Sequence, residues 1–204
     1  MKKILYLIIL IGLANVVKSQ DTLFLNNGDI IIGKIVKIDS TEITFDKIKK
    51  NNKISTKFYD KEEIFSIKTK DSTSIIYSRF NNNEYDFSEK EMQFFVLGQQ
   101  DAKKYYKNPY ISYGGFASGL AGGLLVDFYG TGLLIPALYS TIKGGVSCKF
   151  TDIPENKKPL LNEPYYKLGY KNSASRIRTI KSIKSGVLGV VTMVAIRIAL
   201  QSIK

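Results

Sequence analysis

Apolar and polar residues alternate along residues 21–80, where short β-rich runs are separated by turn residues. Alternation with a period of two places successive side chains on opposite faces of a strand. In the third run, EITFDKI, this predicts Ile43 and Phe45 inside and Thr44 and Asp46 outside. Five or six such runs in about sixty residues predict a small β-barrel over residues 20–80.

The second run, IIIGKIVKI, carries Gly33 where a barrel strand must bend sharply. The stretch LNNGDIIIGKIVKIDSTEITF resembles small SH3-like and Sm-like barrels, in which an Asn/Asp-Gly turn precedes a glycine-bent strand. Sm-like barrels commonly bind RNA. Residues 21–80, however, hold 11 Lys/Arg against 9 Asp/Glu, a net charge of only +2, and we therefore expect no nucleic-acid partner.

The pattern then changes to a long apolar stretch, residues 111–142, whose one formal charge is Asp127. Small residues recur in it every four positions, which lets helix backbones approach closely in a membrane. One row is Gly115, Gly119 and Gly123, and the other is Gly114, Ser118 and Gly122. We predict a membrane segment of glycine-zipper type, with Gly189 of a later apolar helix as a further packing residue. A buried hairpin of two glycine-rich helices in a soluble protein is the alternative.

A single helix over residues 111–142 would be about 48 Å long, against a hydrocarbon core of about 30 Å. Two arrangements follow: one span from roughly Gly115 to Leu138, or a re-entrant hairpin turning between Asp127 and Gly132. The hairpin suits the Asp127 carboxylate. The single span suits residues 143–184, whose net charge of +7 favours the cytoplasm. On the charge argument we expect the single span, which places Cys148 in the cytoplasm.

Residues 81–110 predict a polar linker and a capped helix. Ser88 begins a capping box with Glu91, and Asn108-Pro109 ends the helix. Tyrosines alternate with lysines around this end, as is typical of a membrane headgroup boundary. The predicted interface belt consists of Tyr105, Tyr106, Tyr110 and Tyr113. The run GQQDAKKYYKNPYISYGGFASG resembles a layout of uncharacterised bacterial envelope proteins, in which an exported β-domain precedes a glycine-rich membrane segment.

The last third of the chain predicts two further helices. Residues 143–184 form a basic loop and then an amphipathic helix with Tyr166, Tyr170, Ala174 and Ile177 on one stripe. This helix lies either on a membrane surface or against protein. Residues 185–204 predict a second membrane helix, interrupted by Arg197. An ion pair between Asp127 and Arg197 is feasible, and the alternative is that Arg197 extends to the nearer interface.

Residues 1–19 combine a charged start with an apolar run and predict a signal peptide, with an uncleaved anchor as the alternative. In both cases the following domain lies outside the cytoplasm. The net charge of +12 is uneven, because residues 20–100 carry −1 and residues 101–204 carry +10. A basic half that also holds the apolar stretches points to an anionic membrane surface.

Catalytic chemistry has little support in this composition. The sequence has no histidine and one cysteine, so it contains neither a Ser-His-Asp nor a Cys-His site. We expect no catalytic, cofactor-binding or metal-binding residue. The prediction is an α+β, non-enzymatic protein of the inner membrane, with an extracytoplasmic β-barrel that binds an envelope protein or the cell wall. An oligomeric channel or transport component is the alternative, and an enzyme with a cofactor pocket is the third.

Overall fold

A computed structural model describes residues 20–48, 53–77, 87–125, 131–146, 148–150 and 152–202. The chain divides into two compact units, Met1–Glu89 and Lys90–Lys204. The first contains an antiparallel sheet and the second contains helices, which confirms the α+β fold class. The predicted signal peptide, the linker at residues 81–86 and Asp127 lie outside the described residues.

Six strands form one antiparallel sheet in the first unit. They are β1 (Asp21–Leu25), β2 (Ile30–Ile38), β3 (Glu42–Ile48), β4 (Ile54–Asp60), β5 (Ile64–Lys68) and β6 (Thr73–Ile75). A 3₁₀ turn, Lys61–Glu63, joins β4 to β5. The strand order is β4-β3-β2-β1-β5-β6, so β4 and β6 are the two edges. The described strands therefore form an open sheet, whereas the sequence predicted a closed barrel.

One face of the sheet carries its core, and alternation along each strand determines which residues reach it. Ile43 and Phe45 are fully buried, as predicted for the third run, and the Phe45 ring packs edge-on against Tyr59. Asp46 lies on the other face, where its Oδ1 accepts a hydrogen bond of 2.6 Å from the Thr56 hydroxyl. The buried core consists of Leu23, Leu25, Ile31, Ile43, Phe45, Ile64 and Ile67.

The turn between β1 and β2 has the chemistry that its Asn-Gly sequence predicts. Gly28 has a φ of 75°, a conformation that side chains other than glycine rarely adopt. The Asn27 side chain accepts a hydrogen bond of 2.8 Å from the backbone N–H of Asp29. The turn therefore fixes the register in which Phe24 pairs with Ile30.

Gly33 packs closely against the backbone of β3, and we expect its replacement by alanine to destabilise the sheet. An added methyl group would overlap the carbonyl oxygen of Asp46 and come 2.6 Å from the Phe45 ring. Since backbone must move to accommodate it, Gly33→Ala should lower the free energy of unfolding by about 1–3 kcal/mol. Thermal unfolding of the detergent-solubilised chain, followed by the circular dichroism of the strands, measures this loss.

Gly145→Ala is the matched control for Gly33→Ala, because nothing lies within 4 Å of a methyl group added at Gly145. Both variants add one methyl group to a glycine. We expect Gly145→Ala to unfold at the wild-type temperature. Equal unfolding temperatures for the wild type, Gly33→Ala and Gly145→Ala would show that β2 and β3 accommodate the added methyl group without loss of stability.

The described residues of the second unit contain four α-helices. They are α1 (Glu89–Tyr105), α2 (Tyr110–Leu124), α3 (Leu134–Gly145) and α4 (Pro164–Gln201), and 3₁₀ turns occur at Thr131–Leu133 and Glu155–Asn162. Helix α1 begins directly after Ser88 and ends before Pro109, as the sequence predicts. Proline is tolerated at position 136 because it lies in the first turn of α3, where the helix needs no backbone N–H.

Helices α2 and α3 form an antiparallel pair rather than one long helix. Near the start of α2, a methyl group added at Gly114 would overlap the hydroxyl of Tyr139, in the middle of α3. Near the end of α2, Gly122 faces Gly132 and Pro136 at the start of α3. A continuous helix from Gly115 to Leu138 is therefore not formed, because α2 ends at Leu124 and the next α-helix that the structure describes begins at Leu134. The topology of this pair relative to a membrane stays a prediction.

Helix α4 is continuous across the predicted boundary between residues 184 and 185. Its 38 residues extend for about 57 Å at about 1.5 Å per residue. A row of buried positions spaced by four runs along most of it. The row consists of Tyr166, Tyr170, Ala174, Arg178, Ser182, Gly186 and Val190. The tyrosine end packs in a core cluster with Ala102, Tyr106 and Cys148, so this stripe contacts protein rather than a membrane surface.

Candidate functional site

The two rows of small residues on α2 contact two different helices. The glycines of the row at residues 114, 118 and 122 face α3 and the turn before it: Gly114 meets the Tyr139 side chain, and Gly122 meets the backbone of Gly132 and the ring of Pro136. The row of Gly115, Gly119 and Gly123 faces α4. Each row removes side chains from one side of the helix, so α2 lies close to both neighbours at once.

The contact between α2 and α4 is formed by glycine on both helices. A methyl group added at Gly119 would overlap the Gly186 carbonyl and come 3.0 Å from the Cα of Gly189. A methyl group at Gly189 would overlap the Phe116 carbonyl. Farther along, Gly115 meets Ser182 and Ser185. These glycines therefore pack within one chain, and the surface that they form is not exposed for contact with a second copy.

Arg197 lies at the C-terminal end of α2. Its Nη1 donates weak hydrogen bonds to the carbonyl oxygens of Gly123 and Leu124, at 3.4 and 3.5 Å. The last carbonyls of a helix lack partners within the helix and carry the negative end of its dipole. Arg197 thus provides hydrogen-bond donors for these carbonyl oxygens and a positive charge at the negative end of the helix dipole, in an apolar region. Because Asp127 lies outside the described residues, its ion pair with Arg197 stays a prediction.

The predicted tyrosine belt divides into buried and exposed members. Tyr110 and Tyr113 expose 79% and 70% of their surface. Tyr106, in contrast, is buried edge-on against Tyr170, with ring centres 6.5 Å apart. The Nζ of Lys104 lies 5.0 Å from the centre of the half-buried Tyr105 ring. Tyr106 is therefore part of the protein core, and its assignment to a membrane interface is wrong.

Asp101 is a buried carboxylate that the sequence analysis did not single out. It exposes 3% of its surface, and its Oδ2 accepts a hydrogen bond of 2.9 Å from the Tyr166 hydroxyl. Its Oδ1 forms an ion pair of 2.5 Å with Lys157. Burial and this hydrogen bond to Asp101 raise the pKa of Tyr166. The network joins α1, α4 and the 3₁₀ turn at residues 155–162.

A cavity of about 430 Å³ opens beside this core. Its walls come from the connection between α1 and α2, the start of α2, the end of α3 and one side chain of α4, together with Cys148, Lys149 and Asp152. The charged residues of the lining are four cations and one carboxylate: Lys107, Lys143, Lys149, Arg178 and Asp152. We call this space the basic cavity.

Arg178 is the member of this lining that is most deeply placed in the protein. It is 5% exposed, and its Nη2 donates a hydrogen bond of 3.2 Å to the Gly144 carbonyl. Its guanidinium carbon lies 6.0 Å from the centre of the Tyr106 ring, which suits a cation–π contact. The sequence contained a signal for this position, since Arg178 continues the four-residue spacing of Tyr170 and Ala174. Because it is charged, the predicted apolar stripe did not include it.

Cys148 also lines the basic cavity but is buried. Burial raises the pKa of its thiol, and the nearby Arg178 guanidinium opposes this effect more weakly. A buried thiol that stays protonated reacts slowly with maleimides on either side of a membrane. The residue is therefore unsuitable as a reporter of the side of the membrane on which residues 143–184 lie.

Among the described helices, α4 is the one whose length and composition are sufficient to cross a membrane. The chain thus has an antiparallel sheet domain followed by a long apolar C-terminal helix. This order agrees with the predicted layout of a β-domain ahead of a membrane region. The chain matches no protein-family model, no curated protein and no solved structure.

Proposed function

We propose that this chain is a non-enzymatic envelope protein whose helical unit anchors a β-sheet interaction module to a membrane. The second half of α4 carries the proposal. Between Ser185 and Ser202 the sole formal charge is Arg197, and only 17% of the most apolar 18-residue window is buried. A core helix of a soluble protein would be mostly buried. Exposed apolar surface of this extent is typical of contact with lipid.

The hairpin adds apolar surface beside α4. Over residues 110–125 and 131–146 the sole formal charge is Lys143. Large side chains that are more than two-fifths exposed occur on the hairpin and on the second half of α4. They are Leu124, Leu125, Leu133, Leu134, Leu138, Ile142, Val146, Val187, Leu188, Val191, Ile196, Ile198 and Leu200. All three helices therefore offer lipid-compatible surface.

Helix lengths indicate how the hairpin inserts. Helix α2 has 15 residues and α3 has 12, so they extend for about 22 Å and about 18 Å, less than a hydrocarbon core of about 30 Å. We propose that the hairpin enters the membrane and returns to the same side. The exposed Tyr110 and Tyr113, at the start of α2, then lie at the headgroup level. The basic residues after α3 emerge on the same side as the chain before α2.

The sheet unit is proposed as the interaction module. Its outward face exposes several large apolar side chains, among them 51% of Ile32, 66% of Ile54 and 66% of Phe58. We propose that this unit lies outside the cytoplasm, at the inner membrane, and that this face binds an envelope protein or the cell wall. The buried, protonated Cys148 and the lack of histidine in the sequence support a non-enzymatic role. The alternative of an oligomeric channel draws no support from the glycine rows, because they pack inside the chain.

Single reporter cysteines in a Cys148→Ser background test this arrangement in intact spheroplasts. Lys57→Cys in the sheet, Lys158→Cys in the basic segment and Ser202→Cys after α4 all replace exposed residues. We expect a membrane-impermeant maleimide to label Lys57→Cys and Lys158→Cys directly, and Ser202→Cys only after detergent is added. The reason is that the hairpin returns to its own side and α4 crosses.

Each other labelling pattern contradicts one part of the proposal. Labelling of Lys57→Cys with protection of Lys158→Cys would mean that the hairpin crosses the membrane. Protection of both would place the sheet unit in the cytoplasm. Release of the protein from membranes by an alkaline wash without detergent would contradict the proposed membrane anchor.

A further inference from the structure

The inference concerns Arg178, a buried cation at the wall of the basic cavity. Its guanidinium has five N–H donors, of which Nη2 bonds to Gly144. Within the described part of the chain, its Nε has no hydrogen-bond partner, and no carboxylate lies within ion-pair distance of it. A buried charge is unfavourable unless it is paired and hydrogen-bonded. Arg178 therefore has donor capacity to offer an anion.

The other charges of the lining favour an anion as well. Three lysines face the cavity, and the one carboxylate in its lining, Asp152, accepts a hydrogen bond of 3.1 Å from the backbone N–H of Lys107. Four cations and one carboxylate give the lining a formal charge of +3. In a partly enclosed space with low-dielectric walls, these charges concentrate a positive potential.

The position of the cavity in the fold indicates the source of the anion. Its rim includes Tyr110 at the start of α2 and Val146 after the end of α3, which are 79% and 50% exposed. In the proposed anchor, this end of the hairpin lies at the headgroup level. A volume of about 430 Å³ is within the range of small-molecule sites. Anionic phospholipids present phosphate groups at that depth.

We propose that the basic cavity binds a phosphate group, supplied by the headgroup of an anionic phospholipid. Arg178 provides the buried contact, because a planar guanidinium donates in the geometry that phosphate oxygens accept. Lys107, Lys143 and Lys149 provide charge around it. The lipid source rests on the proposed membrane anchor, whereas the phosphate site itself does not.

Native mass spectrometry of the full chain in a neutral detergent tests the proposal. The chain is titrated with phosphatidylglycerol or phosphatidylcholine, with and without inorganic phosphate. We expect the wild type to bind phosphatidylglycerol at least about tenfold more tightly than phosphatidylcholine, because both lipids carry a phosphate but the lining, with a formal charge of +3, repels the choline cation of phosphatidylcholine. Arg178→Gln should abolish this preference.

Arg176→Gln is the matched control, because it removes the same charge from an exposed position two residues away on α4. We expect it to keep the preference for phosphatidylglycerol. Lys149→Gln provides a second test that does not depend on a buried substitution, since Lys149 is exposed. It should weaken phosphatidylglycerol binding severalfold while the circular dichroism spectrum stays that of the wild type.

The arms of the experiment separate the outcomes. Competition by inorganic phosphate in the wild type, lost in Arg178→Gln, would support the phosphate site and show that it also accepts a soluble anion. Equal binding of both lipids together with no effect of phosphate would overturn the proposal, as would an equal loss in Arg176→Gln and Arg178→Gln. A chain that does not insert into phosphatidylcholine vesicles but keeps Arg178-dependent phosphate binding would refute the anchor alone.

Discussion

Replacing Gly119 by leucine should separate α2 from α4 and unfold the helical unit. The added side chain would enter a space that holds the Gly186 carbonyl and the Cα of Gly189. Because both obstacles are backbone atoms, no side-chain rotation relieves the overlap. We expect a loss of about 3 kcal/mol or more in the free energy of unfolding. Thermal unfolding of the detergent-solubilised chain, followed by its helical circular dichroism, measures the effect.

Ala121→Leu is the control for Gly119→Leu. It adds a leucine side chain two residues away on α2, at an exposed position that the proposed anchor turns toward lipid. We expect its unfolding temperature to equal that of the wild type. If Gly119→Leu also unfolded at the wild-type temperature, the close approach of α2 and α4 would contribute nothing to stability.

The second large effect should come from Asp101→Ala. This substitution leaves the buried Tyr166 hydroxyl without its acceptor and Lys157 without its carboxylate. Breaking a buried pair by removing one partner typically costs about 3–5 kcal/mol, because the remaining polar groups stay desolvated. Lys157 is partly exposed and can regain water, so we expect the lower end of this range. The measurement is the same helical unfolding transition.

Tyr166→Phe serves as the control, since it removes one hydroxyl and keeps the ion pair of 2.5 Å between Lys157 and Asp101. We expect a loss of about 1 kcal/mol, the usual net value of one hydrogen bond. Similar losses in both variants would indicate that the ion pair adds no stability and that the hydroxyl contact accounts for the whole effect.

The strands of the first unit were predictable because their signal is local. Whether Ile43 or Thr44 reaches the core depends on the alternation of neighbouring side chains, which the sequence displays directly. Closure of a barrel depends instead on whether two edges distant in sequence find each other. The residues of β4 and β6 do not indicate whether these two edges pair with each other. The prediction of a closed barrel therefore went beyond what the alternation pattern supports.

The helical unit shows the same division between local and distant information. The four-residue spacing of Gly115, Gly119 and Gly123 indicates close packing, but it is the same whether the partner is α4 or a second copy of the chain. Arg178 was missed for a different reason. Its four-residue spacing from Ala174 indicated a buried position, whereas its charge indicated an exposed one. The basic cavity makes a buried arginine possible, but its walls come from segments far apart in sequence, so the pattern around Arg178 could not reveal it.

The hairpin was weighed against a single span, and the charge of residues 143–184 favoured a continuous helix from Gly115 to Leu138, which the structure does not form. The bias of basic residues toward the cytoplasm acts on whole loops during insertion. The end of a helix is determined within a few residues, here by the break after Leu124. For the course of the backbone in residues 111–142, the local signals for a helix end were therefore better evidence than the charge of the following loop.

The central place of α4 has a consequence for the order of events during synthesis. The sheet unit has all six strands by Ile75, so it can fold while the remainder of the chain is still being translated. Helices α1 and α2 both contact α4, the last helix described, through Gly98 and Gly119. The hairpin therefore leaves the ribosome before its partner exists. Its glycine surface therefore stays exposed until Gly186 and Gly189 have been synthesised. During this interval chaperones or the insertion machinery must protect it.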